Sequence, residues 1–157
     1  TNSFLYSLVM DSYSMGYATS SYMDMPINHK IFLAQFETIK KSAQEESCVI
    51  VGRCADYALA DNPNLISVFI VAEDEDKIAR IMETNDLKAD KAKDIMIKTD
   101  KRRSGYYNYY SSKRWGDVRS YDLCINSSRL GGVDGCVEAI KSYIEVRKKF
   151  HQAPAKQ

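Results

Sequence analysis

A chain of 157 residues, 45% hydrophobic and 27% charged, has the size and composition of one folded domain with a sizeable core rather than of a disordered segment. A formal net charge of +1 excludes a protein that coats nucleic acid or an anionic membrane through its overall field, so anion binding is expected to be local. The longest apolar runs, such as LISVFIVA at 65–72, fall short of the ~20 residues a membrane span needs, and TNSFLYSLVM lacks the basic start and cleavage site of a signal peptide.

Residues 1–26 show no clean period and support only a weak helical reading. From Ile27 to Ala43 the apolar residues Ile31, Phe32, Phe36 and Ile39 recur at helical spacing. CVIVG at 48–52 is a continuous apolar run of strand length, expected to be buried on both faces of a parallel sheet. RCADYALA reads as a short helix, DNPN as a turn, and residues 65–72 as a second buried strand. Asp74–Met82 open a helix whose acidic first turn suits the helix dipole. A further helix is expected from about Lys88 to Lys101, a third strand at YDLCIN (121–126), and a final helix from Cys136 to about Lys149, before a frayed tail at 150–157. Strands alternating with helices imply a parallel α/β sheet in a single domain.

Local chemistry concentrates in KTDKRRSGYYNYYSSKRWGD (98–117), where six Lys and Arg residues face only Asp100 and Asp117, with Tyr106, Tyr107, Tyr109, Tyr110 and Trp115 between them. Such a segment suits a basic turn with its rings in the core, or a single-strand nucleic-acid surface, in that order. Ligands of an open parallel sheet gather beyond the carboxyl ends of its strands. There, Gly52 permits a tight turn and Arg53 can fork onto a phosphate or pair with Asp56 as a structural bridge. Glu73 and the three acidic residues after it read as a solvated helix start. Asn126, Ser127 and Ser128 offer hydroxyls and backbone groups to a base, or form an ordinary turn. Cys48, Cys54, Cys124 and Cys136 form no CxxC pair, so reduced, buried thiols in a cytoplasm and no zinc are expected. His29 and His151 fit no Ser/His/Asp set.

Taken together and in order, CVIVGRCADYAL, NLISVFIVA with RIME, DKRRSGYYNYY with RWGD, and YDLCINSSRLG resemble the cytidylate kinase-like family of P-loop nucleoside monophosphate kinases, over roughly residues 28–145. The resemblance implies a three-layer α/β fold, a parallel sheet flanked by helices with a mobile lid at 98–119. It also implies phosphoryl transfer from ATP to CMP or dCMP with Mg²⁺. The implied partner is a small-molecule nucleotide, not a membrane or a nucleic acid, and self-association is left open. By the same resemblance Arg53 holds the acceptor phosphate, Arg102, Arg103 and Arg114 clamp phosphates from the lid, and Asp56 and Lys30 belong to the acceptor site. Ser127 falls on the ATP side. The chain departs from the family in two places. Cys54 stands where these kinases usually carry a base-reading Asp, and no GxxxxGK[ST] loop occurs in residues 1–157. The Thr1 start and the thin three-strand sheet favour an omitted N-terminal segment; the alternatives are a nucleotide- or RNA-binding module without turnover, or a small-molecule kinase of the same fold.

Overall fold

Residues 26–150 are described by the computed structural model, and they fall into two compact units. The readings made for residues 1–25 and for the tail at 151–157 lie outside the described residues. The first unit is built on helix α1 (Ile27–Glu45), which buries Phe32, Phe36 and Ile39 as their spacing predicts. A short helix α2 (Ala55–Ala58) packs against it, as do residues 107–112. Tyr110 stacks on Phe32 with ring centroids 4.1 Å apart, and Phe36 meets Tyr57 edge-on at 6.2 Å. Aromatic pairs of this kind add to the area they bury.

The second unit holds the sheet. Strands β1 (Val68–Val71) and β2 (Leu123–Asn126) pair in parallel, in register from Val68 with Leu123 to Val71 with Asn126. Parallel neighbours need a long crossover. Here it contains α3 (Asp74–Asn85) and α4 (Ala89–Ser111), which Lys77 ties together by reaching Asp74 at 2.7 Å and Asp100 at 3.4 Å. Helix α5 (Gly132–Phe150) packs against β2 and the 3₁₀ turn Ser127–Arg129. Its start is possible only with glycine: a Cβ at position 135 would lie 1.5 Å from the carbonyl oxygen of Leu130.

Three expectations are corrected. The three-strand, three-layer sheet is not present among the described residues, which form a two-stranded parallel sheet with helices. The run Cys48–Gly52 is not a strand. None of its residues 48–51 makes a backbone hydrogen bond among the described residues, and Val49 and Val51 are 95% and 87% exposed. A strand exists only when a neighbour accepts its ladder, and an apolar β-branched composition does not supply one. The other correction concerns 98–119, expected to follow a helix ending near Lys101. Helix α4 instead continues through Arg102 and Arg103 to Ser111. Its last turn is held by burial of Tyr107 and Tyr110 in the first unit and by Ser111, whose hydroxyl donates to the Tyr107 carbonyl at 2.5 Å.

At the far end of the second unit, Arg147 of α5 donates to the carbonyls of Leu65 and, at 2.9 Å, Pro63, with Asp122 3.8 Å away. Its side chain is only 20% exposed. Arg147→Met keeps the aliphatic stem and strips both carbonyls of their charged donor. Urea unfolding should show a loss of roughly 1.5–3 kcal/mol, the range for hydrogen bonds involving a charged group, and a loss below half of that would mean water replaces the guanidinium.

Candidate functional site

In the first unit the chain leaves the apolar run through three successive residues in the left-handed region, Gly52 (φ 70°), Arg53 (φ 56°) and Cys54 (φ 55°). Glycine adopts this freely, but each side chain there costs roughly 1–2 kcal/mol. Strain of this kind persists where its surroundings over-determine it, and it gathers at functional sites. The turn buries the Cys54 thiol and leaves the Arg53 guanidinium exposed, with no partner among the described residues. The structural bridge between Arg53 and Asp56 is therefore not formed. Asp56 instead accepts a 2.6 Å hydrogen bond from the Tyr107 hydroxyl, which fixes its carboxylate. Lys30 lies in the first turn of α1, near an aromatic group in which His29 Nε2 is hydrogen-bonded to the Tyr109 hydroxyl at 3.1 Å. The Tyr110 hydroxyl donates to the Asn28 carbonyl at 3.4 Å.

The second unit carries the remaining candidates. Arg102 and Arg103 project from α4; Arg103 lies 3.9 Å from Asp100, while Arg102 is exposed and has no partner among the described residues. Arg114 is separate from them in sequence and structure, in the turn after α4, where its carbonyl accepts from Asp117 N–H at 3.1 Å. Trp115 meets Phe69 edge-on at 5.4 Å. With Tyr107, Tyr110 and Trp115 engaged in packing, the interleaved rings are not a row of stacking platforms.

Beyond the carboxyl ends of β1 and β2 lies a network that sequence reasoning missed. Glu73 precedes α3, but its side chain does not cap that helix. It accepts from Asn126 Nδ2 at 2.9 Å and Arg129 Nε at 3.2 Å, while its own N–H donates to Ser128 Oγ at 2.9 Å. Ser127, expected on the ATP side, donates its hydroxyl to the Val71 carbonyl at 3.1 Å. The partners lie more than fifty positions apart, so no local pattern announces them; the sole signal was the polar run NSSR after a strand.

Hydrogen bonds from Asn126 and Arg129 hold the Glu73 carboxyl below its ordinary pKa of 4.5, and those from Arg119 bring Asp117 down to about 2 from 3.8. A carboxylate whose folded pKa is depressed contributes stability above its unfolded pKa and loses it as pH falls through the folded value. The urea midpoint should therefore drop between pH 5 and pH 2. The combined variant Glu73→Gln, Asp117→Asn should show a shallower drop, and an unchanged slope would remove both carboxylates from the acid transition.

Among the described residues no three His, Cys, Asp or Glu side chains cluster as metal ligands, and no helix is long and apolar enough to cross a membrane. All four cysteines are free thiols, but only Cys54 and Cys136 are buried as expected; Cys48 and Cys124 lie at the surface. The crystal structure of an uncharacterized protein from Eubacterium ventriosum ATCC 27560 is similar to this chain, with 40% sequence identity and a TM-score of 0.73 over 81% of this chain and 71% of that one. Comparison with curated proteins finds no match. The model of the cytidylate kinase-like family matches residues 1–129, which include the Arg53 turn, α4 with its arginines, and the Glu73 network. On that match the chain belongs to the cytidylate kinase-like family.

Proposed function

We propose that the protein is a nucleoside monophosphate kinase that transfers the γ-phosphoryl group of ATP to CMP, dCMP or a related monophosphate. An oxygen of the acceptor phosphate attacks the γ-phosphorus, the bond to the β-phosphate oxygen breaks, and ADP leaves. The chemistry needs no covalent nucleophile from the protein, only positioning and positive charge around the migrating group. The observation that carries the reading is Arg53: an exposed guanidinium on a strained left-handed backbone, without a partner among the described residues, in a chain of this family. Its fork would bind the acceptor phosphate. Asp56, oriented by Tyr107, and Lys30 would line the acceptor side, and Arg102, Arg103 and Arg114 would supply charge to the transferring phosphoryl group. Mg²⁺ would arrive on the ATP phosphates.

An ATP-coupled assay of the full-length protein over a panel of nucleoside monophosphates tests this. Turnover with a pyrimidine monophosphate supports it. Tight RNA or nucleotide binding without turnover would select the binding module instead, and phosphorylation of a non-nucleotide alone would select the small-molecule kinase.

A further inference from the structure

The network around Glu73 is more than a fold support. We propose that Glu73 is a positioning residue for the donor nucleotide: it clamps the Asn126–Arg129 turn to the end of β1 and orients the Arg129 guanidinium to bind a nucleoside polyphosphate. The inference rests on the kinase reading for the identity of the donor.

Five hydrogen bonds build the clamp. Besides the three at Glu73 and the Ser127 bond to Val71, Ser128 N–H donates to Asn126 Oδ1 at 3.1 Å. Four of them join the ends of two paired parallel strands, the edge where open sheets receive ligands, and the fifth lies within the β2 turn. Asn126, Ser127 and Ser128 each bond across to Glu73 or Val71 without Arg129. Arg129 adds little to that tie, because its side chain is 79% exposed and an exposed ion pair contributes little to stability. Only its Nε is engaged, and its two terminal amino groups have no partner among the described residues. A guanidinium held by one edge with the other open is preorganised to fork onto phosphate oxygens, which a flexible lysine cannot match.

The experiment measures MgATP and CMP affinity by calorimetry, with steady-state KM values, for the full-length protein and for Glu73→Ala, Arg129→Ala and the combined variant. Each single change should raise the ATP Kd and KM by about fivefold or more, with CMP affinity within about twofold, because only the donor phosphates lose their fork. The combined variant should be no worse than Arg129→Ala, since Glu73 acts through Arg129. Glu73→Gln, which keeps the acceptor oxygen, should recover most of the affinity. If Glu73→Ala fails to fold, Arg129→Lys must show the same ATP-selective loss. Equal loss of both nucleotides alongside lowered stability, additive effects of the two changes, or an unmoved ATP KM in an active enzyme would each overturn the inference and leave the kinase reading standing. ATP binding with the predicted losses but no turnover on any monophosphate would sink the kinase reading alone. A wild-type protein that binds no ATP sinks both.

Discussion

Arg53→Lys is expected to lower kcat/KM for the acceptor monophosphate by at least about tenfold, a loss of roughly 1.4 kcal/mol of transition-state stabilisation. Lysine keeps the charge and the length but not the planar fork, so the loss isolates geometry from electrostatics. Arg53→Gly makes the contrast sharper. It removes the charge and also the side chain from a left-handed position at φ 56°, so stability should hold or rise, within about 1 kcal/mol, while activity falls further. Activity and stability moving in opposite directions would mark this turn as shaped for a ligand. Unchanged kinetics in folded Arg53→Lys would return Arg53 to the surface charges, since no partner among the described residues gives it another role.

Arg102→Ala and Arg114→Ala should each lower kcat by about 10²–10³, the scale for removing one group that stabilises developing charge in a closed site. The effect should fall on kcat more than on the acceptor KM, because these charges are expected to act during transfer and not in initial binding. Arg102 lies within α4, and alanine is the best helix former, so that variant removes charge without weakening the helix. Arg103→Ala should cost less, since Asp100 at 3.9 Å already offsets part of its charge. Single-turnover kinetics in the full-length protein separate chemistry from product release. Losses below about threefold for both Arg102 and Arg114 would leave the basic segment as a solvated helix end, and losses confined to oligonucleotide binding would favour the nucleic-acid surface.

Helix α1 was legible because Phe32, Phe36 and Ile39 recur at the helical period, and that period is a local property of the chain. The strands at 68–71 and 123–126 were legible as short apolar runs, although Ile70 and Val71 are exposed rather than buried as expected, and the order and spacing of motifs placed the chain in its family. Cys48–Val51 shows where local reading stops: its composition suits a buried strand, yet strand formation depends on a backbone partner elsewhere, and among the described residues none is paired with it. The extension of α4 to Ser111 was equally hidden, since it follows from Tyr107 and Tyr110 finding Asp56 and Phe32, more than fifty residues away in sequence. Charge composition identified Arg53 and the basic segment as candidates. Only tertiary contacts could decide that Asp56 pairs with Tyr107, leaving Arg53 without a bridge, and that Glu73 serves the β2 turn rather than its own helix. Hydrogen bonds between side chains depend on distance in space, and a sequence records only separation along the chain.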